Sequence, residues 1–284
     1  MTTRRPPTGR PAAGGAVAGG AVAGDTGGST RPTSAGGRAA VKRLAADLEQ
    51  ELRAAGTPER AVAERAYLKS DLEFFGTAVP AVRLVAKRVL EGDDLPIEEH
   101  DRLVELVECL WSAPIHERRA LAIELLTMRS AVLVPADLDL VERLLRDSNT
   151  WAYVDSLAVH IAGAVVERYP ETVGRLDRWV VDPDFWLRRS ALLALLLPLR
   201  RGEGDVDRFF SYADALLDER EFFVRKAIGW VLRDMGRRRP GLVFAWIAPR
   251  THRASGVTVR EAVKCLPDEQ AEAVLAAYRE RRPV

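Results

Sequence analysis

Residues 137–148 read DLDLVERLLRDS, and this stretch decides the fold. Leu140, Val141, Leu144 and Leu145 recur at the spacing that stacks side chains on one side of a helix, with Glu142, Arg143 and Arg146 between them. Asp137 stands where a helix start belongs. The same texture runs outward from residue 41. Thr57-Pro58-Glu59 reads as an N-cap, a proline at the first helical position and an early acid. Gly56 and Gly92 sit where C-caps belong. Asp182-Pro183 opens the apolar run from Phe185 to Leu199, and Pro240 and Pro267 punctuate two further helices. No Val/Ile/Thr-rich alternation bounded by turn pairs is present, so the expected fold is all-α. About a dozen helices with short links, in units of roughly 35–45 residues, fit a HEAT-like helical-repeat solenoid. Sequence self-similarity between the units is weak, which leaves a compact all-α bundle as the alternative.

The chain has 284 residues, 47% of them hydrophobic, which suffices for one large domain or an elongated array. Its 42 Lys+Arg face 41 Asp+Glu, so any nucleic-acid site must be a local patch, not a global field. Only five of the basic residues are lysine; arginine suits bidentate phosphate contacts, although such a skew equally follows from coding bias. Cys109 and Cys265 are far apart and the four histidines show no ligand spacing, so neither disulfide nor metal site is expected and the cytoplasm is the simplest setting. No apolar run reaches the ~18 residues of a membrane span. Residues 1–40 hold ten of the 21 glycines and read as a disordered low-complexity tail, leaving 41–284 as the folded domain.

Three segments could carry chemistry. In Trp151-Ala-Tyr-Val-Asp155 the first and last residues are one helical turn apart and share a face. A carboxylate in an apolar segment is costly unless it is paired or placed at a wet cleft, so Asp155 caps the helix, pairs with a nearby arginine, or serves a site. In Trp186-Leu-Arg188-Arg189, an arginine heads an apolar helix and either snorkels to solvent or meets an anion. In FFVRKAIGW (222–230), Gly229 costs about 1 kcal/mol relative to alanine but admits a neighbour to the flank of Trp230. Arg233, Arg237, Arg238, Arg239, Arg250 and Arg253 follow with few acids among them. Together, two tryptophans, a carboxylate and several arginines suit a cationic substrate beside a phosphate backbone: indole faces attract cations and arginines grip phosphates.

The segments 63–83, 110–126, 151–163, 185–192, 222–240 and 257–266 resemble the AlkD-type DNA alkylation repair family, in the family's order. The Phe-Phe-x-x-Lys-Ala-Ile-Gly-Trp and Trp-x-x-x-Asp motifs are the specific ones. The resemblance implies a solenoid with a concave, positively charged DNA-binding face. It also implies hydrolysis of the N-glycosidic bond of N3- and N7-alkylated purines in double-stranded DNA, by a monomer and without a cofactor or a base-reading pocket. Trp151, Asp155 and Trp230 match the family's catalytic cleft, Arg189 its phosphate-contacting arginine, and Tyr67 an aromatic near the lesion. Arg188, Lys226 and Arg233 are expected on DNA as well. The departures are Ala152-Tyr153, which stand to reshape the cleft, and the long leader. A non-catalytic DNA-binding relative and a protein-interaction solenoid are the competing functions; Asp155 argues against a pure binder, which gains little from a carboxylate facing phosphates.

Overall fold

The computed structural model describes residues 35–92 and 100–280. The first helix starts at Ala35, so the last six residues of the expected tail are helical; the rest of that tail lies outside the described residues. The chain continues through helices Pro58–Leu68, Val79–Glu91, His100–Trp111, His116–Met128 and Leu138–Ser148. Helix Trp151–Ser156 runs on through a π-helical segment, Leu157–Ala162, into Gly163–Arg168. Helices Gly174–Trp179, Phe185–Leu193, Leu196–Arg200 and Val206–Ala215 follow. Phe222–Gly236, Pro240–Ile247, Gly256–Ala262 and Asp268–Glu280 complete the array. Among the described residues there is no strand, only the isolated bridges Gly56–Thr77 and Glu73–Ile115. The fold is all-α, as the periodicity predicts.

The stripe that opened the reading is inside: Leu140, Val141, Leu144 and Leu145 are at most 5% exposed, and each such side chain contributes roughly 1.5–3 kcal/mol by leaving water. They belong to one continuous core that runs from Val41 to Val274.

The repeat is legible in the polar contacts. Trp111 Nε1 donates to Asp147, 36 residues on, at 2.8 Å. Trp179 Nε1 donates to Glu142, 37 residues back, at 2.8 Å. Arg143 reaches Glu108 across 35 residues, Arg146 reaches Asp182 across 36, and Arg250 reaches Asp214 across 36. A side chain that meets its partner one fixed period away is what stacked units produce, because each unit touches only its neighbours. The period of about 35 falls at the short end of the expected range.

Local signals differ from their sequence reading in instructive ways. Thr57 does cap its helix, accepting from Arg60 N at 3.4 Å, with Pro58 at the first position. Gly92 is a C-cap but in extended conformation. The left-handed caps are instead Lys69 (φ 50°) and Asn149 (φ 49°). Asp137 turns away from the helix it precedes, accepting from Val134 N at 2.7 Å and pairing with His100 at 2.8 Å. The cap of the Phe185 helix is Asp184, which accepts from Trp186 N at 2.8 Å; Asp182 in turn accepts from Asp184 N. The apolar run 185–199 is two helices, broken at Ala194-Leu195.

Candidate active site

Thr150 caps the helix that begins at Trp151, its hydroxyl accepting from Ala152 N at 3.4 Å. That start fixes the register: Trp151 and Asp155 are one turn apart on the face away from the core, both partly buried, while Tyr153 and Val154 between them are buried. The π segment begins two residues after Asp155; such insertions recur at functional sites. Downstream, Gly163 permits the close approach of the next repeat, since a Cβ there would lie 2.6 Å from the carbonyl oxygen of Ala194.

Asp155 faces a cavity of about 460 Å³. Its aromatic walls are Tyr67, Trp151, Phe222, Phe223 and Trp230, and its charged groups are Asp155, Arg189, Lys226, Arg233 and Glu261. The structure therefore gathers Tyr67, Trp151, Asp155, Arg189, Lys226, Trp230 and Arg233, drawn from four helices, at one place. Arg188 is not among them. It is turned to Glu219 (2.8 Å) and to the carbonyls of Asp182 and Pro183, which ties the start of its own helix to the next repeat.

Arg189, which does line the cavity, is held from within the fold. Its Nε and Nη2 donate to the two carboxylate oxygens of Asp155 at 2.8 and 2.9 Å, and Nη1 donates to the carbonyl of Phe223. Its side chain is only 3% exposed, against 19% for Asp155. The guanidinium therefore lies beneath the carboxylate and ties three helices together. Asp155 is half of an ion pair, and its carboxylate still opens on the cavity.

The aromatic groups divide the rim. Tyr67, 71% exposed, meets Trp151 edge to face with ring centroids 6.0 Å apart. Phe222, 53% exposed, has the Lys226 ammonium 5.9 Å from its ring centroid. Trp230 donates its Nε1–H to Asp234 at 3.2 Å. Gly229 does what its sequence position predicts: a Cβ there would stand 2.6 Å from Glu261 Cβ, so its absence lets helix Gly256–Ala262 lie against the flank of Trp230.

Phe222, Phe223 and Glu261 line the cavity beyond the residues expected there. The spacing Phe222, Lys226, Trp230 is one helical stripe and was the available signal; Glu261 comes from another repeat and had none. Burial pushes the Glu261 carboxyl up, but Lys264, Arg233 and Lys226 outweigh burial and hold it below the ordinary range. It is an anion at neutral pH and no proton donor. Tyr153 does not reshape the cleft as expected. It is buried, with its hydroxyl 2.5 Å from His116 Nδ1, and His116 stacks on Phe74.

The basic concentration after Trp230 is mostly spoken for. Arg233 pairs with Glu261, Arg250 with Asp214 and Arg253 with Asp218, while Arg239 donates to the carbonyl of Gly202. Arg237 and Arg238 are exposed, as is Lys226. A second cavity, of about 330 Å³ between Val166 and Leu195, holds none of the predicted residues; its acids are paired with Arg201 and Arg208. Among the described residues no group of three or more His, Cys, Asp or Glu is placed to hold a metal, and no helix is long and apolar enough to cross a membrane.

The cavity thus sets a carboxylate, backed by a buried arginine, between two indoles in a helical-repeat scaffold. No curated protein sequence matches the chain. Among solved structures it is similar to a predicted DNA alkylation repair enzyme from Enterococcus faecalis, with 23% identity over 75% of this chain and 97% of that one and a TM-score of 0.65. It is also similar to AlkD2 from Streptococcus mutans, with 14% identity over 86% of this chain and all of that one and a TM-score of 0.50. At those identities the likeness speaks to the helical-repeat fold. The sequence model of the family described as DNA alkylation repair enzyme matches residues 48–266, a span that contains every residue of the cavity, and the chain belongs to that family.

Proposed function

We propose that the protein is a monofunctional DNA glycosylase that releases cationic N3- or N7-alkylated purines from double-stranded DNA. The observation that carries this reading is the Asp155 carboxylate, partly exposed in a cavity between Trp151 and Trp230 and fixed from below by Arg189. A purine alkylated at N3 or N7 is already positively charged. When the C1′–N9 bond breaks, the bonding pair goes to the base, which leaves as a neutral alkylpurine, and C1′ is left as an oxocarbenium-like cation. A preorganised carboxylate and two indole faces stabilise that developing charge. A water oxygen then bonds to C1′ and loses its proton to Asp155 or to solvent.

The leaving group needs no proton, and the cavity's second carboxylate, Glu261, is held in its ionised form. Neutral lesions therefore have no general acid to activate them. The candidate groups are aimed at sugar and backbone, and the scaffold is a helical array whose HEAT-like curvature would present a broad concave face. Recognition would then depend on charge, not on a snug base pocket. On this reading the protein acts as a monomer on DNA in the cytoplasm. Lys226, Arg237 and Arg238, exposed along the Trp230 helix and its C-terminal end, are among the cations placed to meet the phosphates.

The test is a panel of duplexes carrying N7-methylguanine, a bulky N7-alkylguanine and 1,N6-ethenoadenine, compared under single-turnover conditions. Both cationic bases should be released and the neutral one retained. Release of the neutral base, or rejection of every adduct larger than methyl, would point to a base-reading pocket and defeat the charge-based mechanism.

A further inference from the structure

Trp230 is anchored differently from the other indole of the cavity. Its Nε1–H is donated to Asp234 Oδ2 at 3.2 Å, one turn along the same helix. Asp234 is only 4% exposed. Arg200, from the preceding repeat, donates Nε to the same oxygen at 2.8 Å. Arg233 donates Nε to the other oxygen at 3.3 Å and pairs in turn with Glu261 on the following repeat. A buried carboxylate is expensive unless every oxygen is occupied, and here each one is. Both arginines reach solvent, with side chains 44% and 25% exposed, so water would serve them if Asp234 were absent. The indole, a donor only, has the carboxylate as its partner.

We propose that Asp234 is a positioning residue for Trp230. The hydrogen bond sets the rotation of the indole about its two side-chain torsions, and the Arg200 and Arg233 contacts register the carboxylate against the repeats on either side. The attraction between a ring and a cation depends on the ring presenting its face. Trp230 lines the cavity through a ring whose plane Asp234 holds. This inference rests on the base-release reading above.

The test is a double-mutant cycle under single-turnover conditions with an N7-methylguanine duplex. Asp234→Asn leaves one acceptor oxygen for three donors, and the release rate should fall roughly 10- to 100-fold, the scale of a small misplacement. Affinity for undamaged duplex should not change. In a Trp230→Phe background, which has no N–H to hold, Asp234→Asn should cost nothing further in rate, although any loss of thermal stability persists. An equal rate penalty in both backgrounds means that Asp234 acts through the fold and overturns the proposal. Should Asp234→Asn fail to fold, Trp230 replaced by 3-benzothienylalanine, with sulfur in place of N–H, carries the test: a full release rate overturns the proposal and a matching loss supports it. If the unaltered protein releases no base at all, the functional reading fails by itself. Asp234 is then judged by the ¹⁵N-indole resonance of Trp230, which should shift and exchange faster in Asp234→Asn; an unchanged resonance overturns the proposal.

Discussion

Asp155 and Arg189 show how far one side chain's meaning depends on its partner. Asp155→Asn keeps the shape of the cavity and removes its central charge. The rate of base release should fall by ~10²–10³ while duplex binding survives, measured by single-turnover release and by a binding isotherm. Arg189→Ala is a different experiment from the one its sequence position suggests. It leaves a partly buried carboxylate unpaired and the carbonyl of Phe223 without its donor, so a loss of about 3–5 kcal/mol in unfolding free energy is expected, with activity lost alongside. A stable Arg189→Ala protein with an altered salt dependence of DNA binding would restore the phosphate role. His116 supplies a pH prediction. Burial among Phe74, Tyr153 and their neighbours lowers its pKa to about 4, with Glu64 opposing only weakly. The unfolded chain takes up this proton near pH 6.5 and the folded one near 4, so the stability His116 contributes is complete above 6.5. As the pH falls from 6.5 to 4 that contribution is lost, on the order of 3 kcal/mol. His116→Phe should flatten this segment of a stability profile measured by denaturant; an unaltered slope would place the acid sensitivity elsewhere. His100 is not its source: burial lowers its pKa but the Asp101 and Asp137 carboxylates raise it more, so its contribution changes in the opposite sense, fading as the pH rises through its raised pKa.

At the scale of elements, what matters is how closely helices approach. Gly229→Ala improves helix propensity by about 1 kcal/mol, but the added methyl would meet Glu261 Cβ at 2.6 Å and Thr258 O at 3.0 Å. Neither atom is the loose end of a side chain, and overpacking of this kind costs typically 1–3 kcal/mol. The clash should win: Gly229→Ala should unfold at lower temperature and release base more slowly, because helix Gly256–Ala262 carries Glu261, the partner of Arg233 beside Asp234. A more stable Gly229→Ala protein would mean that the helices part without consequence. Helix Pro58–Leu68 is the opposite case. It has no buried residue, yet it carries Tyr67 to the rim over Trp151. The sequence marks its start through Thr57 and Pro58 but does not indicate that it lies on the surface, since Ala61, Val62, Ala63 and Tyr67 look like a core stripe.

At the scale of the molecule, a near-neutral chain has to bind a polyanion with few free cations. Many of the described arginines, Arg143, Arg146, Arg201 and Arg250 among them, meet an acid one repeat away, which a count of neighbours in sequence does not reveal. Lys226, Arg237 and Arg238 are exposed on or just beyond one helix, and each should take a phosphate. Replacing any one by alanine should flatten the log–log salt dependence of duplex binding by about one unit, evenly across sequences. If the slope stays the same in all three, the duplex lies elsewhere on the array.

The sequence by itself determined what depends on neighbours three or four residues apart: that the chain is helical, where many helices start, and that Trp151 with Asp155 and Lys226 with Trp230 share faces. Helical periodicity is a local property and is written in the chain. The tertiary structure decided everything that needs a partner about 35 residues away. It set Arg189 against Asp155 and Arg188 against Glu219. It sent Tyr153 into the core beside His116 and brought Glu261 to the cavity. These outcomes were illegible because a charged side chain's role is set by whichever group the next repeat places against it, and repeats with little sequence self-similarity do not announce which residues stack.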